Sequence, residues 1–115
     1  MLDSPRLSTR ARALILAPEN TLFVSAASLW EVAIKHRISP KKMPLSGGKA
    51  LTLFQRSNYY MLAVSAEHAA AVDDLPLHHT DPFDRLLVTQ ALQEPLRLLT
   101  SDEMLARYSD TVIVA

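Results

Sequence analysis

The amino-acid sequence predicts an α/β domain in which a mostly parallel sheet is covered by helices on both faces. Two observations predict it. Helical and strand-like segments alternate along the chain, and capping residues or prolines separate them. The strand-like segments are short apolar runs with β-branched or aromatic residues, as in buried strands. With 115 residues, 49% of them hydrophobic, the chain is long enough for one domain over residues 1–115.

The first half of the chain is predicted to contain a helix, a strand, two helices and a second strand. Serines stand where N-caps are needed, and apolar residues recur behind them at helical spacing. The predicted elements are a helix from Ser8 to Pro18, a strand over 21–24, a helix from Ser25 to about Arg37, a loop over 38–48, a helix from about Ala50 to Asn58 and a strand over 60–64.

The second half is predicted to contain a short helix, a longer helix, a strand, another short helix and a last strand. Their bounds are 65–73, 82–94, 96–100, 102–108 and 111–114. Pro82 suits the first position of its helix, with Asp81 as N-cap, and Pro95 stops that helix. His36 and His68 are expected on helix surfaces. Because a doubly wound domain usually opens with a strand and this pattern opens with a helix, we expect a first strand to be missing.

The composition excludes several classes of protein. The absence of cysteine rules out disulfides, thiolate zinc sites and cysteine nucleophiles, and it fits a reducing cytoplasm. No apolar run approaches the ~20 residues of a membrane helix, and no signal peptide is recognisable. The net charge is zero, so RNA would need a local basic patch. His36, Arg37, Lys41, Lys42 and Lys49 could form one, although they fit a solvated loop equally well.

Three acidic residues are predicted at the edge of the sheet where α/β proteins bind ligands. Glu31 lies in the helix after the first strand, Asp84 in the first turn of the helix at Pro82, and Asp102 just after strand 96–100. Each has a simpler interpretation. Glu31 could reach solvent, Asp84 could be favoured by the helix dipole, and Asp102 could be an N-cap. Together, however, the three carboxylates would repel one another unless a cation neutralised them.

Oxygen ligands without cysteine point to a hard divalent cation, Mg²⁺ or Mn²⁺. Glu31 strengthens this interpretation because its neighbours in 29–34 are all apolar. An ionised carboxylate in such surroundings is costly unless it is paired or bound to metal. A bound ion can acidify a water molecule and stabilise charge on a phosphodiester. The sequence therefore favours phosphodiester hydrolysis without a covalent enzyme intermediate.

Further polar residues stand next to Asp84. His78 and His79 could contact phosphate or ligate a metal, although such a pair is more often a solvated loop. Arg85 could contact RNA near the carboxylates, or it could serve as their structural ion-pair partner. The sequence alone leaves these alternatives open.

Three segments resemble motifs of VapC-type PIN-domain ribonucleases. Residues 25–31 (SAASLWE) resemble the S-x-x-S-x-W-E segment of that family. Residues 79–87 (HTDPFDRLL) resemble its H-x-D-P-F-D-R-x-L segment, and residues 98–102 (LLTSD) resemble its L-L-T-x-D ending. The order is that of the family, and the similarity spans nearly the whole chain. The fold implied is a PIN-like three-layer α/β/α domain with a mostly parallel central sheet.

The resemblance implies a Mg²⁺- or Mn²⁺-dependent endoribonuclease, the toxin of a VapBC-type toxin–antitoxin pair in the cytoplasm. Glu31, Asp84 and Asp102 would be its catalytic acids and metal ligands. The auxiliary or RNA-binding groups suggested are Thr100, Arg85, Lys35 and His79. The implied partners are an RNA substrate, a second copy of the chain in a homodimer, and a cognate antitoxin whose C-terminal segment fills the active-site groove.

The start of the chain departs from the family pattern. The family opens with an apolar strand that ends in Asp, whereas residues 1–8 resemble the entry to a later helix, so the first catalytic role is not assigned to Asp3. Loss of that strand would leave unpaired backbone groups in its neighbours. The alternative to an enzyme is therefore an inactive truncated toxin that binds antitoxin or RNA. A receiver-like phosphoacceptor domain is weaker, because its acceptor Asp and partnering Lys are not in position.

Overall fold

The structure is a computed structural model that describes residues 8–115; the departure from the family pattern around Asp3 lies outside the described residues. The helices are α1 (Thr9–Leu16), α2 (Ala26–Ile38), α3 (Gly47–Arg56), α4 (Ala66–Ala71) and α5 (Pro82–Gln93). The strands are β1 (Phe23–Ser25), β2 (Tyr60–Leu62), β3 (Leu98–Thr100) and β4 (Val112–Val114), with 3₁₀ turns at Val72–Asp74 and Glu103–Arg107. Within residues 8–115, no helix is both long and apolar enough to cross a membrane.

Side-chain caps fix where the helices begin; those predicted at Ser8, Ser25, Ser65 and Asp81 are confirmed, and Ser46 is a further cap that the sequence analysis did not predict. The capping contacts are Ser8 with the amide of Ala11 at 3.0 Å, Ser25 with Ala27 at 3.0 Å, Ser46 with Lys49 at 3.2 Å, Ser65 with His68 at 3.0 Å and Asp81 with Phe83 at 2.8 Å. Each cap satisfies an amide that a helix leaves without a partner, which contributes about 1 kcal/mol. The start of α3 falls inside the predicted loop, because Gly47 and Gly48 carry no helix signal of their own.

The strands form two parallel pairs. β1 pairs with β2 in the register Phe23–Tyr60, and β3 pairs with β4 in the register Leu98–Val112. In the part of the chain that the structure describes, no backbone ladder joins the two pairs, so the predicted sheet is interrupted between them. Parallel pairing of each strand described within residues 8–115 confirms the predicted α/β topology.

The hydrophobic core lies where α2 and α5 meet β3. Its buried residues are Ala27, Leu87, Val88, Ala91, Leu98 and Leu105. Leu87 and Ala91 are four residues apart and share the inward face of α5 that the sequence predicts. Burial of this face holds α5 against the end of β3. The core therefore decides where the first turn of α5 and the residues after β3 lie.

A buried polar network crosses the same region. The hydroxyl of Ser25 donates to Gln90 Oε1 at 2.5 Å, and the Gln90 amide donates to the carbonyl of Ala63 at 3.3 Å. His68 was expected on a helix surface, which is wrong: it is 3% exposed, and its Nε2 lies 2.5 Å from Glu94 Oε2. Packing of α4 on α5 buries the ring, and the spacing of apolar residues in a helix of 6 residues does not reveal that contact.

Replacing Gly47 tests the close approach of α2 and α3. A Cβ at Gly47 would lie 2.9 Å from the Cβ of Ala33, whereas a Cβ at Gly48 would meet nothing within 4 Å. We expect Gly47→Ala to lower the free energy of unfolding by about 1–3 kcal/mol, since Ala33 has no rotamer with which to move away. Gly48→Ala should raise it by about 0.5–1 kcal/mol. Urea unfolding of both variants decides, and equal stabilisation would refute the close approach.

Replacing Gln90 tests the polar network. Gln90→Leu keeps the approximate volume but leaves Ser25 Oγ and the Ala63 carbonyl without their partner. We expect the free energy of unfolding to fall by about 2–4 kcal/mol, because each buried group left unsatisfied costs about 1–3 kcal/mol. Gln93→Leu, at the exposed end of the same helix, should change it by less than about 0.5 kcal/mol. Similar small changes in both variants would show that the network contributes little.

Candidate metal centre

Two of the three predicted acids lie together around a histidine. Asp84 is in the first turn of α5, and Asp102 follows β3 by two residues. The Nε2 of His79 lies 2.8 Å from Asp102 Oδ2 and 3.7 Å from Asp84 Oδ2. One possible ligand atom from each residue lies within 4.8 Å of the others, and the side chains of Asp84 and Asp102 are 17% and 34% exposed. The group is compact enough to surround one cation and is open to solvent.

The turn after β3 presents Asp102. Thr100 is buried at the end of β3, and its Oγ1 accepts the amide of Asp102 at 3.1 Å. Asp102 Oδ1 accepts the amide of Met104 at 2.9 Å, while Oδ2 faces His79. Asp102 therefore caps the 3₁₀ segment through Oδ1, while Oδ2 is directed at His79 in the candidate site. Thr100, predicted as an auxiliary group, stabilises the turn that presents Asp102.

The start of α5 presents Asp84. Pro82 occupies the first helical position, and the Oδ1 of Asp81 accepts the amides of Phe83 and Asp84 at 2.8 and 3.3 Å. This cap is the one predicted from the sequence. It fixes the first helical turn, where the helix dipole also favours a carboxylate. The position of Asp84 thus follows from local sequence signals together with the burial of α5.

His79 reaches the acids through a loop that Arg85 and Tyr108 hold in place. We name these two residues the loop brace. The Arg85 guanidinium donates to the carbonyls of Val72, Leu75, Pro76 and His79 at 3.2, 3.4, 3.0 and 3.4 Å, and to the Tyr108 hydroxyl at 3.1 Å. The hydroxyl also accepts the amides of His78 and His79 at 3.1 and 2.9 Å. Arg85, predicted as an auxiliary or RNA-binding group, therefore directs its donors into the protein.

Sequence reasoning missed Tyr108. The residue is 29 positions from His79 and stands in no motif or periodic pattern. Its ring also lies against that of His78, with centroids 5.1 Å apart. Only the folding of the 3₁₀ segment Glu103–Arg107 back toward the loop brings the hydroxyl to these amides, so no local signal could have found it.

Glu31 lies outside this group. Its Oε1 is 2.8 Å from Lys35 Nζ one turn later on α2, and its side chain is 29% exposed. Solvent and Lys35 therefore offset the cost that its apolar neighbours suggest. The rings of Trp30 and Phe83 pack edge to face with centroids 5.1 Å apart. These rings directly precede Glu31 and Asp84 in the sequence, so α2 contacts the start of α5 next to both acids.

Comparison with known proteins assigns a family. A family model described as PIN domain matches residues 1–110. The chain belongs to the PIN-domain family. The structure described as VapBC2 from Rickettsia felis bound to a DNA fragment from their promoter contains a chain that is 21% identical, with a TM-score of 0.66 over 92% of this chain and 82% of that one. No curated protein matches the sequence. The predicted PIN-type fold is thus confirmed.

The predicted basic patch of this PIN domain lies beside α2. Its exposed members are Arg37, Lys41, Lys42 and Lys49. The Nδ1 of His36 lies 2.8 Å from the carbonyl of Met43, so His36, expected on the surface, is half-buried and holds the loop that follows α2. Lys35 pairs with Glu31 on the same helix. Contact of these residues with RNA remains a prediction.

Replacing Arg85 tests the loop brace. Lysine keeps the positive charge but cannot reach the four carbonyls and the hydroxyl that the guanidinium fork reaches. We expect Arg85→Lys to lower the free energy of unfolding by about 2 kcal/mol, because four backbone carbonyls, three of them in partly buried bonds, lose charge-assisted hydrogen bonds. Arg56→Lys, on the exposed end of α3, is the matched control and should change it by less than about 0.5 kcal/mol. If Arg85→Lys and Arg56→Lys changed the free energy of unfolding in urea by the same amount, the structural role of the loop brace would be rejected.

Proposed function

We propose that this PIN domain is a metal-dependent endoribonuclease and the toxin of a VapBC-type toxin–antitoxin pair. The observation that carries the proposal is the approach of Asp84 and Asp102 to one imidazole, with ligand atoms of all three residues within 4.8 Å. Two carboxylates held this close repel each other, and a cation would remove that cost. Membership of the PIN-domain family supports the same conclusion.

The donor set fits a hard divalent cation. Each carboxylate oxygen of Asp102 accepts one hydrogen bond, from Met104 or His79, and keeps a second lone pair for a ligand. Oxygen ligands of this kind suit Mg²⁺ or Mn²⁺. Bound there, such an ion would acidify a water molecule and offset charge on the phosphodiester. Asp84 and Asp102 would hold it, and the loop brace would keep their geometry before substrate arrives.

Glu31 is proposed as the third acid of the site. Its pair with Lys35 is an exposed i,i+4 contact, which contributes only about 0–1 kcal/mol. The carboxylate can therefore leave Lys35 for a stronger electrostatic partner at little cost. Contact of Lys35 with an RNA phosphate is proposed from the sequence.

The partners follow from the same proposal. The similar structure is described as VapBC2 from Rickettsia felis bound to a promoter DNA fragment, and by analogy we propose a cognate antitoxin for this chain. Its RNA substrate would run from the acids across the basic patch beside α2. A homodimer is proposed from the VapC resemblance.

A ribonuclease assay with Mn²⁺ tests the proposal. We expect cleavage of single-stranded RNA by the chain to fall at least 100-fold in Asp84→Asn and in Glu31→Gln, because each variant removes a carboxylate charge from the site while keeping its shape. Removal of the metal with EDTA should abolish cleavage in the same way. The measurement is the initial rate of hydrolysis on a fluorescent oligonucleotide.

Matched acids outside the site provide the controls. Asp74→Asn, in an exposed 3₁₀ turn, and Glu67→Gln, in an exposed turn of α4, should leave the rate unchanged within about twofold. Equal background cleavage in the unsubstituted chain and all four variants would reject the enzyme. It would favour the alternative of an inactive module that binds antitoxin or RNA.

A further inference from the structure

Both ring nitrogens of His79 are engaged, and their partners fix the tautomer. Nδ1 lies 3.1 Å from the backbone amide of Asp81, which can only donate, so Nδ1 accepts and carries no proton. The proton of the neutral ring is therefore on Nε2. Nε2 faces Asp102 Oδ2 at 2.8 Å, the distance of a charge-assisted N–H to carboxylate bond. Asp84 Oδ2, at 3.7 Å, is too far for a second hydrogen bond of this strength.

A nitrogen that carries a proton cannot coordinate a cation. His79 belongs by distance to the group that could surround a metal, yet its Nε2 lone pair is used for the N–H bond. For Nε2 to become a ligand, the proton would have to move to Nδ1, where it would face the amide hydrogen of Asp81. That exchange would replace a hydrogen bond by the contact of two donors and leave the amide of Asp81 unsatisfied.

The loop brace keeps the ring from turning away to make that exchange. The backbone of His79 is held at both of its polar groups, since its amide donates to Tyr108 and its carbonyl accepts from Arg85. Residue His78 is held by the same hydroxyl. With the backbone of His79 held, the imidazole can turn only about its side-chain torsions. Such a turn would break the ring's hydrogen bonds to Asp81 and Asp102 together.

We propose that His79 is a positioning residue that holds Asp102 by an Nε2–H bond and does not itself ligate the metal. This inference rests on the proposed function for the presence of a metal. His79 Nε2–H would orient Oδ2 of Asp102, while the backbone amide of Met104 orients Oδ1. A histidine that binds a carboxylate ligand in this way acts through that ligand.

The ligand class has a consequence for metal choice. A site with an imidazole nitrogen would favour Zn²⁺ and Ni²⁺ over Mg²⁺, whereas a site of carboxylate oxygens suits Mg²⁺ and Mn²⁺. The absence of cysteine from the sequence removes the other soft ligand. With its proton on Nε2, His79 would not supply a nitrogen ligand. The site would then lack the donor atom that raises the affinity of histidine sites for Zn²⁺.

Nitrogen NMR of the metal-free chain tests the tautomer directly. With ¹⁵N-labelled protein and His79→Gln to assign the signals, we expect His79 to show a protonated Nε2 and an unprotonated Nδ1. Protonation at Nδ1, alone or together with Nε2, would overturn the inference. This measurement requires neither metal nor activity, so it decides the contact to Asp102 even if the proposed function fails.

Pulsed electron paramagnetic resonance of the Mn²⁺-loaded chain tests the ligand set. We expect no coupling from a directly bound ¹⁴N nucleus, because only oxygen atoms reach the ion. A strong directly bound ¹⁴N coupling that disappears in His79→Gln would overturn the inference while supporting the proposed metal. Failure of the unsubstituted chain to bind Mn²⁺ would count against the proposed function instead, and the NMR result would then decide the role of His79.

Two substitutions separate positioning from ligation. In His79→Gln the side-chain amide can still donate to Asp102 from about the reach of Nε2, whereas His79→Ala has no donor. We expect Mn²⁺ affinity, measured by calorimetry, to stay within about threefold in His79→Gln and to fall about 10-fold or more in His79→Ala. Equal losses would indicate a ligand, and no loss in either variant would remove the positioning role.

The brace provides a further readout. Tyr108→Phe keeps the ring but removes the hydroxyl that accepts the amides of His78 and His79. We expect it to weaken Mn²⁺ binding by a smaller factor than His79→Ala, about threefold, because His79 keeps its donor but loses its anchor. Tyr60→Phe, at an exposed tyrosine of β2, is the control and should bind Mn²⁺ unchanged. Equal affinity in both tyrosine variants would overturn the part of the inference that assigns the brace.

Discussion

The geometry of the candidate site depends on the guanidinium of Arg85. One side chain on α5 donates to four backbone carbonyls of residues 72–79 and to the hydroxyl of Tyr108. The loop so held carries His79, and His79 holds Asp102. Because Arg85 directly follows Asp84 on α5, the same helical turn carries the side chain that anchors the loop and the carboxylate that faces it. A lysine at this position would keep the charge and lose that coupling.

The remaining architecture fixes the elements that this unit must meet. The apolar face of α5 is buried against β3, which places the turn after β3 beside the start of α5. Ser25 and Gln90 then connect the start of α2 to the middle of α5 through a buried hydrogen bond. Trp30 and Phe83 connect the same helices nearer the site. A buried bond of this kind specifies one relative position of two helices more sharply than apolar contact does, since an offset would leave both groups unsatisfied.

Side-chain contacts connect the two parallel strand pairs of this PIN domain in the part of the chain that the structure describes. In a continuous sheet the strands themselves would fix the distance between the turn after β3 and the helix after β1. Among the described residues, side-chain contacts take on this task, because no ladder joins the pairs. The relative position of α2 and α5 therefore depends on Ser25, Gln90 and the rings of Trp30 and Phe83. Glu31 lies on α2, which follows strand β1 of the other pair, and it is outside the group that Asp84 and Asp102 form with His79.

The sequence by itself determined the parallel α/β class, the caps at Ser8, Ser25, Ser65 and Asp81, and the positions of Asp84 at the start of α5 and Asp102 after β3, because caps and strand-end positions depend on residues a few places apart. It did not determine the burial of His68, which arises where α4 packs on α5. Only the tertiary structure decided that His79 joins Asp84 and Asp102, and that Arg85 and Tyr108 are structural. Those contacts link residues up to 30 positions apart along the chain, and such pairing depends on how whole elements pack rather than on any local pattern.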